Sequence, residues 1–236
     1  MPKRSKAPTY YVRRAMAEKS NPKESSYHLE VDRADRYSIR SRSLNRAFFE
    51  IDELYASFLR EFFSKENIVE VLRSLHKNKK RPVRILDDGA GWDGAFVAGL
   101  KQKLKEAGLK SHTIALNLNN SDELRSHVAN GRINEVHIGD AGRYVPDKPV
   151  DAIFSTVGSL NYFTSKASKN HLLKFAHCLR KGGILVAMVF GEKLKSITPG
   201  YLHGIEIAFG KQGFRAKIYR PNKESEPILI LMIQRI

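Results

Sequence analysis

Asp87, Gly89, Ala90 and Gly91 lie in one stretch, Ile85-Leu86-Asp87-Asp88-Gly89-Ala90-Gly91-Trp92-Asp93-Gly94, which joins an apolar run to a helix-patterned segment. Glycine at 89 and 91 lets the backbone take up positive φ and approach a ligand closely. Asp87, at the end of the expected strand, can hold a cationic or hydroxyl-bearing group. The chemistry implied is the cradling of a nucleotide-like cofactor. Gly89-Ala90-Gly91-Trp92-Asp93-Gly94 also satisfies the dinucleotide string Gly-x-Gly-x-x-Gly, so the pattern alone leaves NAD open. An acidic residue two places before the first glycine repels a pyrophosphate and attracts the ammonium of an amino-acid moiety, which favours S-adenosylmethionine. A tight strand-to-helix turn that binds nothing reads the same.

Groups able to accept a proton or position a substrate are Tyr162, Asn161, His203 and Glu192, expected in loops or helix starts beside the same crevice. Surface exposure is the alternative for His203, and core or lid packing for Tyr162 and Phe163. The histidines at 76, 112, 127, 137, 171 and 177 have no metal-like spacing, and a single cysteine, Cys178, offers no zinc set, so no metal is expected.

These residues need a scaffold, and the hydrophobic pattern supplies one. From Leu44, the residues Phe48, Ile51, Leu54, Tyr55, Phe58, Leu59 and Phe62 recur at spacings of three and four, giving one apolar helical face. Ser64 is expected to cap a second helix with Ile68, Val71, Leu72 and Leu75 inward, ending at the basic run Lys77-Asn78-Lys79-Lys80-Arg81. Beyond Pro82, strands and helices alternate. Strands are expected at Val83 to Leu86, Thr113 to Leu118, Glu135 to Ile138, Val150 to Thr156 and Ile184 to Phe190. The intervening helices are Ala95 to Ala107, one capped by Ser121 and running to about Ala129, and one opened by Ser165 or Ser168 and ended by Lys181-Gly182-Gly183. A helix Tyr201 to Phe209 follows, then strands Phe214 to Tyr219 and Pro227 to Ile233, joined by the polar turn Arg220 to Glu226 as an antiparallel hairpin. The pattern predicts an α/β fold: a doubly wound, mostly parallel seven-stranded sheet with a reversed terminal strand, helices on both faces, and the ligand crevice at the strands' carboxyl ends.

The chain has 236 residues and a formal net charge of +16, a balance that suits polyanionic partners such as nucleic acid, with general solubility as the bland alternative. Residues 1–43 read as a basic, flexible arm, with Lys3, Arg4, Lys6, Arg13 and Arg14 early and Tyr10, Tyr11, Tyr27 and Tyr37 interleaved. Such a mixture can stack on unpaired bases while its cations contact phosphates. The alternatives are a disordered tail or a mitochondrial-type presequence, the latter opposed by Glu18, Glu24, Glu30, Asp32 and Asp35. Residues 44–236 form the expected domain, with helices over 44–81 and the sheet core over 82–236. The single cysteine suits a reducing compartment, and no apolar run is long enough to span a membrane, so a soluble cytoplasmic protein is expected.

Over roughly residues 65–236 the chain resembles the class I, Rossmann-like S-adenosylmethionine-dependent methyltransferases. Ile85-Leu86-Asp87-Asp88-Gly89-Ala90-Gly91 is similar to the family's first motif, which implies that Asp87, Gly89, Ala90 and Gly91 hold the methionine end of the cofactor. Ile138-Gly139-Asp140-Ala141, followed by Pro146, resembles the stretch where Asp140 would bind the adenine amino group and the Ala141 backbone would pack at the ring. Val150-Asp151-Ala152-Ile153-Phe154-Ser155 is similar to the fourth-strand segment, whose end, at Ser155, would meet cofactor and substrate. Leu179-Arg180-Lys181-Gly182-Gly183-Ile184-Leu185-Val186 resembles the turn into the fifth strand, and the closing hairpin matches the reversed seventh strand. Two positions depart from the family. Asn117 stands where an acidic residue usually grips the ribose hydroxyls, and a neutral amide binds a hydroxyl about half as strongly. Asp93 stands where a third glycine is common, and either binds the ammonium or caps the following helix.

Methyl transfer from a sulfonium is an in-line displacement, for which the protein positions the nucleophile and in some cases removes its proton. Ser155-Thr156-Val157-Gly158-Ser159-Leu160-Asn161-Tyr162-Phe163 lacks the Asn/Asp-Pro-Pro-aromatic clamp, which disfavours base N-methylation by that route. Pyrimidine C5 methylation needs a thiolate, and Cys178 lies on an apolar helix face. The chain is therefore read as a methyltransferase acting on RNA or a ribonucleoprotein, through the arm and the Lys77–Arg81 run. The alternatives are a methyltransferase of a small molecule or protein, and a noncatalytic ribonucleoprotein-binding or assembly protein that retains the fold.

Overall fold

A computed structural model describes residues 44–77, 79–91, 93–118, 120–156, 165–190, 199–219 and 228–236. The arm 1–43, Trp92, Asn161, Tyr162, Phe163, Glu192 and the turn 220–226 lie outside them. Two helices, α1 (Leu44–Phe63) and α2 (Ile68–Leu75), precede an alternating series: β1 (Val83–Asp88), α3 (Ala95–Glu106), β2 (Ser111–Asn117), α4 (Asp122–Ala129), β3 (Glu135–Ile138) and β4 (Val150–Ser155). Then come α5 (Ser165–His177), β5 (Leu179–Phe190), α6 (Pro199–Gly210), β6 (Phe214–Tyr219) and β7 (Ile228–Arg235).

The strands form one seven-stranded sheet in the order β3-β2-β1-β4-β5-β7-β6. The first five are parallel, and β7 runs antiparallel to both β5 and β6, so the reversed strand lies between them. Strands β1 and β4 are buried along their whole length, which explains their near-continuous apolar runs. Alternate side chains feed two cores. Ile85, Ala152, Phe154, Ile184 and Val186 pack under α1, α2 and α3, while Leu86, Ile153, Leu185 and Ala187 pack against α5 and α6.

Three local expectations change. Ser64 does not cap α2. It sits at φ 52° and turns the chain at the end of α1, where its N–H donates to Arg60 O at 3.0 Å. Asn67 is the cap, its side chain accepting from Glu70 N at 2.9 Å. Lys181-Gly182-Gly183 does not end α5, which stops at His177. These residues lie within β5, whose pairing shifts from Val150↔Leu179 to Ala152↔Ile184, so the strand bulges there. Gly182 takes φ 79°, and a Cβ on Gly183 would lie 2.9 Å from both Arg180 O and Asp151 O, which explains why glycines occupy the bulge. The closing strand is Ile228–Arg235, two residues further on than expected at its carboxyl end.

Helix α1 crosses α3 at Gly99, where an added Cβ would come 2.3 Å from Leu44 O and 3.0 Å from Phe48 Cβ. Phe48 stacks on Phe96 with ring centroids 6.4 Å apart, and Phe96 meets Phe154 edge-on at 5.6 Å. This contact carries α1 onto the sheet beneath the crevice. Gly99→Ala gains about 1 kcal/mol of helix propensity, but it collides with a backbone carbonyl, and such overpacking costs about 1–3 kcal/mol. The variant is expected to unfold at lower denaturant than the parent. An unchanged or higher midpoint contradicts this close crossing.

Candidate cofactor crevice

Strand order reverses direction between β1 and β4, and the crevice opens at the carboxyl ends of those strands, where open α/β sheets bind ligands. Asp87 and Asp88 end β1, and because successive side chains on a strand face opposite ways they enter different surroundings.

Asp88 is fully buried and held from two sides. Ser155 Oγ donates to its Oδ2 at 2.8 Å, and His171 Nε2 of α5 lies 3.1 Å from the same oxygen. The His171 ring in turn sits 4.2 Å from that of Phe175. Strand β1, strand β4 and helix α5 are thus tied together directly behind the glycine turn. Ser155 is 1% exposed and points into this network.

Asp87 is 3% exposed, and its Oδ2 is buried with no hydrogen-bond partner among the described residues. Burial raises its pKa well above the usual carboxylate range, and the charges of Asp88 and Asp93 raise it further. An orphaned buried carboxylate oxygen calls for a cation or a donor from a ligand. Nearby, Tyr55 of α1 is fully buried, and its hydroxyl lies 3.0 Å from Thr156 Oγ1 just beyond β4. Burial pushes the Tyr55 phenol up, so it remains neutral.

The turn itself is fastened through backbone groups. Gly89 N and Ala90 N both donate to Leu116 O at 3.0 Å, and Asn117 Nδ2 donates to Gly91 O at 2.9 Å. Asn117 therefore holds the turn across β1 and β2 while being 4% exposed. Gly91 takes φ 71°, and a Cβ built on it would meet nothing within 4 Å, so this backbone faces open space. Gly94 differs: a Cβ there would come 2.6 Å from Leu124 Cδ2, so this glycine lets α3 start against α4. Asp93 is not the cap of α3, which is Gly94 with no side-chain cap bond; its Oδ1 accepts from Ala95 N at 3.0 Å, satisfying the first N–H of the helix from one place ahead of the cap.

Asp140 and Ala141 follow β3. Asp140 Oδ1 accepts from Gly142 N at 2.7 Å, shaping the turn, while Ala141 O accepts from Lys174 Nζ of α5 at 2.6 Å. Gly139 N donates to Asn117 O at 2.9 Å, which brings this turn beside the glycine turn. His203 lies on an exposed face of α6 with its side chain 73% exposed, and its Nδ1 is 4.0 Å from Glu206 Oε2. No hydrogen bond among the described residues ties it to the crevice. The Cys178 thiol donates to Lys174 O, and burial raises its pKa, which keeps it from acting as a ready thiolate. Among the described residues there is no group of three metal-ligating side chains and no helix long and apolar enough to cross a membrane.

The sequence reading overlooked Asp88, His171, Tyr55 and Thr156. Asp88 was visible as the second of two adjacent acids at a strand end, a position whose side chain must turn into the opposite core. His171 and Tyr55 carried no such signal, since each sits in a helix with the spacing of an ordinary apolar residue.

The residues fit S-adenosylmethionine. The unpartnered Asp87 oxygen suits its ammonium, and the open Gly91 backbone suits close approach of its chain. Comparison with solved structures gives the same fold. The chain superposes on a class I S-adenosylmethionine-dependent methyltransferase from Listeria monocytogenes with a TM-score of 0.58 at 13% identity, covering 90% of this chain and 67% of that one. It superposes on a methyltransferase from Clostridium acetobutylicum with a TM-score of 0.53 at 10% identity, covering 78% and 98%. A third likeness is an amino pentose methyltransferase from Micromonospora echinaspora, with a TM-score of 0.52 at 13% identity, covering 89% and 97%. No protein-family model and no curated protein matches the sequence. The fold is that of the class I, Rossmann-like S-adenosylmethionine-dependent methyltransferases.

Asp87 links the crevice to stability with a definite sign. Its folded pKa lies above the unfolded value of about 3.9, so the folded chain binds the extra proton between the two values. Stability therefore falls as pH rises through that window and stays lower above it. Asp87→Asn is expected to raise the melting temperature of the cofactor-free protein at pH 7.5, by about 2–4 °C per kcal/mol relieved, with the gain vanishing near pH 4. The same variant should lose affinity for S-adenosylmethionine by about tenfold or more, the loss of one charge-assisted contact. Melting scans across pH check the first outcome and calorimetric titration the second; a destabilised variant with intact binding contradicts both.

Proposed function

We propose that the protein is an S-adenosylmethionine-dependent methyltransferase whose substrate is RNA or a ribonucleoprotein. The observation that carries the first half is the buried, unpartnered Asp87 oxygen beside the open Gly91 backbone at the point where strand order reverses. In this reading Asp87 receives the ammonium, and the Gly89–Gly91 backbone lies along the methionine chain. Asn117, whose Nδ2 donates to Gly91 O, holds the turn beside the ribose, and Asp140 and Ala141 border the adenine. Asp88, fixed by Ser155 and His171, keeps the end of β1 in place. When bound, the cofactor supplies a methyl group on a sulfonium. The protein's share is then orientation and exclusion of water, since an in-line displacement needs alignment more than machinery. Asn161 and Tyr162 follow β4 in sequence and are proposed as the residues nearest the accepting atom.

The second half rests on charge. A net charge of +16 exceeds what a neutral metabolite requires, and the 1–43 arm interleaves tyrosines with lysines and arginines. A small-molecule substrate is the second reading. It is favoured by the amino pentose methyltransferase, and by the plantazolicin methyltransferase BamL, which superposes with a TM-score of 0.52 at 15% identity over 90% of this chain.

The experiment is to incubate the full chain with methyl-labelled S-adenosylmethionine and a cell extract, then count label in RNA, protein and small-molecule fractions. Label is expected in RNA. It should fall about tenfold or more at 150 mM salt when Lys3, Arg4, Lys6, Arg13 and Arg14 are changed to Glu, because lost phosphate contacts weaken binding steeply. Label confined to small molecules establishes the second reading. Absence of cofactor binding at millimolar concentration removes both and leaves a noncatalytic relative.

A further inference from the structure

The end of the sheet opposite the crevice carries an open cavity of about 530 Å³, within the range of about 300–1,000 Å³ typical of ligand clefts. Its polar side chains are all basic: Lys79 and Arg81 ahead of β1, Arg180 and Lys181 at the start of β5, and Arg235 at the end of β7. Pro149, Leu179 and Ile236 complete it. Because β7 runs antiparallel, its last residues meet the first residues of the parallel strands, and the sheet topology gathers these five cations on one side.

Most of them are held in place by neutral groups rather than by carboxylates. Arg180 Nε donates to Pro149 O at 3.0 Å, Arg235 Nη1 to Leu179 O at 2.6 Å, and Lys79 Nζ to Leu75 O at 2.7 Å. Arg81 is the exception, paired with Asp151 at 2.5 Å. The other four have no carboxylate within ion-pair distance among the described residues. Lys79 and Arg235 also bond the last carbonyls of α2 and α5, since Arg235 Nη1 reaches His177 O at 3.3 Å. Each helix end offsets about half a charge, so after Asp151, both helix ends and the Ile236 carboxylate the cavity keeps a surplus of about two positive charges. Helix capping does not account for Arg180 and Lys181. Lys77 and Lys80, both exposed, extend the basic surface from the cavity's edge.

We infer that this cavity grips the sugar–phosphate backbone of RNA, as an anchor separate from the crevice where methyl transfer is proposed. The inference rests on RNA being the substrate class. The cations come from three separate segments around an open mouth, an arrangement that suits successive phosphates of a strand. Strand β1 separates the two ends of the sheet, so anchor and crevice stand about 20 Å apart at about 3.3 Å per residue. The anchored stretch and the modified nucleotide are then different parts of one RNA.

The test uses the full chain and the double variant Lys79→Glu/Lys181→Glu, two exposed side chains remote from the glycine turn. Binding to a fluorescein-labelled, unstructured RNA is followed by anisotropy over a range of KCl, with Lys105→Glu/Lys211→Glu as a charge-matched control on other surfaces. The cavity variant is expected to bind about tenfold or more weakly at 150 mM KCl, with the slope of log affinity against log salt reduced by about 1.4, two contacts at about 0.7 each. The control should change much less, and S-adenosylmethionine affinity should be unchanged in both. Equal losses in the two variants, or an unaltered slope in the cavity variant, overturn the anchor while leaving an RNA methyltransferase intact. A wild-type chain that binds no RNA overturns the anchor and the RNA substrate together. Sodium pyrophosphate that binds wild type but not the cavity variant, without displacing RNA, makes the cavity a small-anion pocket and also overturns the inference.

Discussion

Two adjacent carboxylates end β1, and the arrangement of the crevice follows from how differently they are treated. The strand's alternation sends Asp88 toward α5 and Asp87 toward α1. Asp88 meets Ser155 and His171, so its burial is compensated and it ties together three elements. Asp87 has an oxygen with no partner, and its pKa is pushed upward by burial and by its neighbour's charge. A fold tolerates such a group where a ligand completes it. One acid thus builds the floor of the crevice, and the other leaves that floor reactive toward a cation.

The surrounding elements serve that contrast. Helix α1, carried onto the sheet by the close passage of Gly99 and the Phe48–Phe96–Phe154 stack, buries Tyr55, whose hydroxyl lies 3.0 Å from Thr156 Oγ1 just beyond β4. Asn117 and Leu116 O fasten the glycine turn from β2, so the backbone presented at Gly91 is preorganised. Preorganisation matters for a transfer whose rate depends on alignment. At the other end of the sheet, the same topology that reverses β7 collects cations with few carboxylates to balance them. The molecule therefore has one face suited to a cationic, amino-acid-bearing cofactor and one suited to a polyanion.

Much of the architecture was legible because strands buried on both faces leave continuous apolar runs and helices leave a three-to-four spacing. The Glu135–Ile138 and Phe214–Tyr219 strands and the Ser121 cap coincide with their expected positions. Ser64 and the Lys181-Gly182-Gly183 run misled for related reasons: a residue suited to capping turned out to end the previous helix, and glycines suited to a stop made a bulge instead. Both outcomes depend on tertiary neighbours that local pattern does not contain. In the crevice, Asp87 and the glycines were readable from a short motif. The use of Asn117 to hold Gly91, and of Ser155 and His171 to hold Asp88, was not, because those partners lie 26, 67 and 83 residues apart along the chain.

The central claim is that Asp87, its pKa raised by burial, receives the ammonium of S-adenosylmethionine. The direct measurement is calorimetric titration of that cofactor between pH 5.5 and 7.5, in pairs of buffers that differ in ionisation enthalpy. Net proton release on binding is expected wherever the raised pKa leaves Asp87 protonated before the cation arrives, because that cation lowers the pKa, and Asp87→Asn is expected to abolish the release. Binding with no proton release, or the same release in the variant, contradicts it.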